Sequence, residues 1–248
     1  MTPSPPNHDV VRTDDGSLTV RHPDHGECYH SQAGAAAEAR ELYIEASGIR
    51  QAWTQGDPVA VLDVGLGLGY NALATILAWQ GAPSPPDLEI ASLEIDPELP
   101  RSLASGSAPW QATWDASALA ACAALRPTDD GRWIAELAHS SAAPDRPTCR
   151  WTVYLGDAAT SSIPTAQATA GWQFIWQDPF SPEKNPPLWG DAWFRRVAAV
   201  SAPGAVLMTY SVARAVRDAL GAAAWEWQKI GTPWRAKRHW LKAKRGPA

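Results

Sequence analysis

Asp63-Val64-Gly65-Leu66-Gly67-Leu68-Gly69-Tyr70-Asn71 decides how this chain is read. It closes an apolar run, Pro58–Gly65, that ends in Asp and Gly as a buried parallel strand does. Asn71–Trp79 follows with the composition of a helix. Glycines at a strand-to-helix turn let backbone N–H groups approach a ligand closely and leave the helix N-terminus facing it. The spacing alone leaves the ligand open. A dinucleotide fingerprint needs G-x-G-x-x-G. Counted from Gly65, the third glycine falls on Tyr70; counted from Gly67, it falls on Ala72, a permitted variant.

Outward from this loop, strands and helices alternate. Leu88–Asp96 reads as a second strand, Trp151–Asp157 as a third, Gln173–Asp178 as a fourth and Ala205–Tyr210 as a fifth. Ser211–Ala223 reads as a helix, and Trp225–Ile230 with Arg238–Ala243 as a closing antiparallel hairpin. The pattern predicts an α/β fold, a Rossmann-like doubly wound and mostly parallel sheet. Residues 1–16 read as a flexible tail rich in Pro and Asp. Residues 17–57 read as an N-terminal extension packing on a catalytic domain of 58–248, with a helix over 33–49 that Gly48 stops. The Ala- and Trp-rich stretch of about 102–147 breaks the rhythm and is expected to be a helical insertion or lid.

Composition excludes several classes. With 248 residues, 45% hydrophobic and 19% charged, the chain is globular rather than disordered. It has no apolar run near the roughly 20 residues of a membrane span. Met1–Val11 is polar and Pro-rich, unlike a signal peptide. Cys28, Cys122 and Cys149 lie far apart with no metal-ligand spacing, so they read as free thiols of a cytoplasmic protein without a metal. The 14 Trp are expected mostly in the core or lid.

The carboxylates at the strand ends carry the chemistry. Glu94 ends the second strand, where a carboxylate can accept ribose hydroxyls. Asp96 is its rival, set back because Pro97 turns the chain. Gly156-Asp157-Ala158 ends the third strand and reads either as a site for an adenine amino group or as a helix N-cap. Asp178 ends the fourth, ahead of a proline-stiffened loop running to Trp189. Asp178-Pro179-Phe180 partly resembles the (Asp/Asn)-Pro-Pro-(Tyr/Phe) motif of amine methylases. There a carboxylate holds the N–H groups of an amine and an aromatic ring packs against the substrate base, which is catalysis by positioning.

Asp63-x-Gly65-x-Gly67-x-Gly69 resembles motif I of class I S-adenosylmethionine-dependent methyltransferases. Several segments in order then resemble one family, the MnmC-like tRNA methyltransferases. They are Cys28–Ser31, Ala37–Arg40 and Tyr43–Ile49; Gly65–Asn71; Asp178–Trp189; Thr209–Ala213 with Val216-Arg217; and Lys237-Arg238. The chain departs from the family at Pro179, where Gly is usual, and at Leu68, where Thr is usual. The resemblance implies S-adenosylmethionine as cofactor, held by Glu38, Asp63, Gly65, Gly67, Gly69, Asn71, Glu94, Asp157 and Ala158. It implies Asp178 and Phe180 at the reacting centre. The implied reaction is methylation of the amine of wobble 5-aminomethyl-(2-thio)uridine, with the anticodon stem-loop of tRNA as partner. The family's bifunctional members add a flavin-dependent oxidase; 248 residues leave no room for one, so a stand-alone methyltransferase is expected.

The net charge of −5 argues against nucleic acid only until its distribution is examined. From Lys229 to Ala248 there are seven basic residues and no acid, so the rest of the chain carries −12. Lys184, Arg235, Lys237 and Arg238 are therefore the expected RNA-binding residues, with Trp234, His239 and Trp240 among the C-terminal cations. Two other functions fit less of the sequence: amine methylation of a small molecule or protein, and a non-catalytic module that binds S-adenosylmethionine or a nucleotide.

Overall fold

The structure, a computed structural model, describes residues 9–140, 146–232 and 239–246. In chain order its strands are β1 (Asp9–Arg12), β2 (Leu18–Arg21), β3 (Val59–Val64), β4 (Leu88–Glu94), β5 (Arg126–Pro127), β6 (Trp133–Ala138), β7 (Thr148–Leu155), β8 (Trp172–Gln177), β9 (Ser201–Thr209), β10 (Trp225–Gly231) and β11 (His239–Arg245). Its helices are α1 (Ala35–Glu38), α2 (Ile49–Trp53), α3 (Tyr70–Gln80), α4 (Glu98–Ser105), α5 (Ala116–Ala123), α6 (Asp191–Val200) and α7 (Arg214–Ala222). Helix α1 runs directly into a π-helical segment, Ala39–Glu45.

Nine strands form one sheet in the order β10-β11-β9-β8-β3-β4-β7-β6-β5. Strands β9, β8, β3, β4 and β7 pair in parallel, as the five apolar runs imply. β10 and β11 form the expected antiparallel hairpin. The central strands are buried on both faces. Val59 and Val61 of β3 enter one core with Ile76 of α3, while Ala60, Leu62 and Val64 enter the other with Phe194 of α6. From β3 the chain steps to β4 and β7 on one side, then returns to β8 on the other. Strand order therefore reverses between β3 and β8, and ligands of open α/β sheets bind at such a switch point.

Tryptophans brace this frame from within, as expected for most of them. Trp79, Trp151, Trp172, Trp176, Trp193 and Trp225 are fully buried. Their indole N–H groups donate to Pro86 O, Ser92 Oγ, Pro164 O, Thr75 Oγ1, Gln177 Oε1 and Phe194 O, so large rings are buried without orphaning their donors.

Two expectations need correction. The stretch 102–147 is not a helical lid throughout. Helix α5 buries Ala118, Ala121 and Cys122, and β6 then pairs antiparallel with β7 over six residues, with the two-residue β5 on its outer side. Trp133–Ala138 finds most of its backbone partners in a strand that follows it, which an isolated reading of its composition does not reveal. The supposed tail of residues 1–16 is also structured from Asp9. β1 pairs with β2, and Asp15 gathers Thr13 Oγ1, Ser17 Oγ and the Ala37 N–H. Residues 1–8 lie outside the described ones.

Candidate active site

The ends of β3, β4, β7 and β8 surround a cleft of about 300 Å³, at the small end of ligand pockets. Gly65 and Gly67 form its floor, both in the left-handed region (φ 87° and 51°). A Cβ on Gly65 would meet Asp178 O at 3.1 Å and Pro179 Cα at 3.2 Å. The glycine loop thus lies directly against the start of the β8 loop.

Glu94 joins this loop to β4. Its Oε2 accepts the Gly67 N–H at 2.9 Å, and its Oε1 accepts those of Ile95 (2.8 Å) and Asp96 (2.9 Å). Burial raises its pKa to about 7, against the lowering effect of these three donors. Two carboxylate oxygens offer about four acceptor positions, so capacity remains for a ligand hydroxyl. Asp96 also lines the cleft, but its Oδ1 accepts the Glu98 N–H, which commits it to the start of α4. Asp157 lines the cleft beside Ala158, and its Oδ1 accepts the Ala159 N–H within its own turn.

Asp178 stands at the tip of β8, its backbone N–H donating to Val64 O. Its Oδ2 accepts Asn71 Nδ2 at 2.7 Å, and His30 Nδ1 lies 4.0 Å away. Burial holds His30 near pKa 4, so its ring is neutral at pH 7 and leaves the carboxylate's charge uncompensated by imidazolium. The loop beyond is pinned from three sides. Tyr210 Oη donates to Pro179 O, Trp189 Nε1 to Phe180 O, and Ser181 donates through N–H and Oγ to Glu27.

Of the expected site residues, Gly65, Gly67, Glu94, Asp157, Ala158, Asp178, Phe180 and Lys184 all line this one cleft. Gly69, Asn71, Asp63 and Glu38 stand behind its wall. Gly69 opens α3 against Leu103, and Asn71 reaches the site only through Asp178. Asp63 is fully buried and accepts Ser92 Oγ at 2.7 Å, with Trp151 Nε1 donating to the same hydroxyl. Glu38 is buried, and its charge helps push the Tyr43 and Tyr210 hydroxyls up after burial itself. Arg235, Lys237 and Arg238 fall outside the described residues. Sequence reasoning gave no role to His22, His25, Tyr29 and His30, which also line the cleft. Tyr29 and His30 belong to a quoted segment, but the fold-back after β2 brings them across some 35 to 150 positions of chain.

A family model described as S-adenosyl-L-methionine-dependent methyltransferase matches residues 130–246. The tRNA 5-methylaminomethyl-2-thiouridine biosynthesis bifunctional protein MnmC of Thiobacillus denitrificans is 32% identical over 222 residues, covering 89% of this chain and 34% of that protein. The protein of the same name from Aromatoleum aromaticum is 33% identical over 219 residues, covering 88% of this chain and 32% of its own length. This chain is an S-adenosylmethionine-dependent methyltransferase that resembles the MnmC proteins over about nine-tenths of its length. It spans about a third of the length of those relatives. The crystal structure of MnmC2 from Aquifex aeolicus shares its fold, with a TM-score of 0.73 over 99% of this chain and 74% of that one, at 24% identity.

The cleft of this methyltransferase suits its cofactor. Glu94, Asp96, Asp157 and Asp178 line it, and Lys184 is the one Lys or Arg among the described lining residues. Such a lining favours the sulfonium and ammonium of S-adenosylmethionine and disfavours a pyrophosphate. The Gly67 N–H, which a pyrophosphate would need, is already given to Glu94. Among the described residues no group of three His, Cys, Asp or Glu is placed to hold a metal, and no helix is long and apolar enough to cross a membrane.

Two predictions arise from the residues behind the wall. Burial raises the Asp63 pKa to about 8, with Ser92 opposing and Asp178 and Glu94 adding to the rise. Between the unfolded value near 4 and about 8, the folded chain holds a proton that the unfolded chain has lost, so stability falls as pH rises through that window. Cofactor-free protein is expected to lose thermal stability from about pH 5 to about pH 8, and Asp63→Asn to lose less. Parallel melting curves of the two proteins check this.

Arg196 of α6 holds the Asp157 loop from outside the cleft. Nη1 donates to Ala158 O (3.1 Å) and Ala159 O (2.6 Å), Nη2 donates to Ser161 O, and the guanidinium lies over the Trp193 ring. Arg196→Ala frees that loop. S-adenosylhomocysteine is then expected to bind about tenfold more weakly by calorimetry, the cost of one or two net hydrogen bonds. Unchanged affinity would leave the loop self-supporting.

Proposed function

We propose that this methyltransferase methylates the amine of 5-aminomethyl-(2-thio)uridine at the wobble position of tRNA. The observation that carries the reading is Asp178, a carboxylate at the switch point held by Asn71 beside a neutral histidine. Its setting suits an amine acceptor, and the names of the MnmC relatives supply the tRNA. Gly65, Gly67, Glu94, Asp157 and Ala158 are the residues proposed to hold the cofactor, with Asp63, Gly69, Asn71 and Glu38 supporting them from behind.

Bound S-adenosylmethionine supplies an electrophilic methyl group on a sulfonium. Asp178 accepts an N–H of the neutral amine and so aims its lone pair. Positive charge arrives on that nitrogen as the bond forms, and the fixed carboxylate stabilises it there. A carboxylate is a far weaker base than an amine, so the proton of the product leaves to water. Lys184, exposed at the cleft's rim, and Arg235, Lys237 and Arg238 are the proposed phosphate contacts.

The acidic lining also suits an amine on a small molecule or protein. A labelled-methyl assay separates the two. Label entering tRNA from cells that lack the modification, and not simple amines, supports the tRNA reading; label entering the amines alone contradicts it.

A further inference from the structure

Four aromatic rings meet at the mouth of the cleft. Phe180 comes from the β8 loop, and His22, His25 and Tyr29 come from the turn after β2. Ring centroids lie 4.5 Å apart for His25–Phe180, 5.1 Å for His22–Phe180, 5.1 Å for Tyr29–Phe180 and 4.5 Å for His22–His25. All four line the cleft and all are half-buried.

This group is built to hold its geometry. The Arg21–Cys28 bridge closes the turn, and the Gly26 N–H donates to His22 O. Glu27 grips Ser181 on the opposite loop. His22 Nδ1 accepts the N–H groups of Asp24 (3.1 Å) and His25 (3.3 Å), which makes it the unprotonated nitrogen of a neutral ring. Burial and the neighbouring His25 also lower the His22 pKa.

The interlocked hairpin already explains why the loop is fixed. It does not explain four partly open rings of which two are imidazoles. An imidazole offers a flat face and an N–H at its edge, which match the face and carbonyl oxygens of a pyrimidine.

We propose that His22, His25, Tyr29 and Phe180 form an acceptor subsite for an unstacked nucleobase, with the amine of that base reaching inward to Asp178. This rests on the tRNA reading and assigns three further residues to substrate selection. The rings recognise the planar base, and Asp178 recognises the amine.

The test uses the full chain with His25→Ala, His25→Phe and the double variant His22→Ala/His25→Ala. Calorimetry with S-adenosylhomocysteine first shows that each is folded and binds cofactor like the parent. With an anticodon stem-loop carrying 5-aminomethyluridine, KM is expected to rise about tenfold for His25→Ala, and further for the double variant. The effect falls on KM more than on kcat, and His25→Phe restores most of it. An unchanged KM, or His25→Phe as poor as His25→Ala, overturns the proposal.

If the parent methylates no stem-loop, the tRNA reading fails by itself and the rings are tested separately. Imidazole proton resonances of the S-adenosylhomocysteine complex are then followed with free 5-aminomethyluridine and with methylamine. Shifts of His22 and His25 with the nucleoside alone support the subsite. Equal shifts, or none, overturn it.

Discussion

Asp178→Asn is expected to lower kcat for methyl transfer by about 100- to 1,000-fold while the affinity for S-adenosylhomocysteine stays near that of the parent. Asn keeps the shape of Asp, and its carbonyl can still accept from Asn71 Nδ2, which Asp178 holds at 2.7 Å. What is lost is a negative charge in a partly buried place, its side chain 13% exposed and His30 beside it neutral. That charge matters most where positive charge develops, on the amine nitrogen, so the loss falls on the chemical step. Single-turnover rates with saturating tRNA and cofactor measure it. An Asn variant with the parental rate would move the reacting centre away from β8.

Gly65→Ala is expected to abolish measurable cofactor binding and to lower stability. Its left-handed backbone alone costs a residue with a Cβ about 1–2 kcal/mol. The new methyl would also press on Asp178 O at 3.1 Å and Pro179 Cα at 3.2 Å, both backbone, so relief requires the two loops to part. Gly106→Ala is the control. Gly106 also has a positive φ, of 67°, but nothing lies within 4 Å of its added Cβ. It pays the backbone cost alone and keeps cofactor affinity. Gly67→Ala should fall between them, because its Cβ meets the Tyr29 side chain at 3.2 Å, which can give. Thermal unfolding with and without S-adenosylhomocysteine ranks the three.

The parallel core was legible because each of its strands is an apolar run ending in a turn or an acid, a local signal. So was the alignment of Gly65, Gly67, Glu94, Asp157 and Asp178, since strand C-terminal ends of such a sheet share one edge. Depth was not legible. Asp63 and Glu94 both end strands in the sequence, yet one points into the core beneath Trp151 and the other reaches the cleft. Asp157 lines the cleft and caps a turn of its own, but no helix starts there, so the helix N-cap reading of the sequence does not hold. The antiparallel strand Trp133–Ala138 was hidden for a different reason. Its burial alternates only weakly, and its identity rests on pairing with Thr148–Leu155. The ring-bearing wall depends on a fold-back after β2 that no periodicity encodes.

The central claim is that this chain places a methyl group on the amine nitrogen of a modified wobble uridine. An anticodon stem-loop containing 5-aminomethyluridine, incubated with methyl-labelled S-adenosylmethionine and then digested to nucleosides, tests it most directly by mass spectrometry. The account predicts the label in a 5-methylaminomethyluridine nucleoside, with a matched stem-loop carrying plain uridine left unlabelled. Label on both stem-loops, at any other atom, or on neither would contradict it.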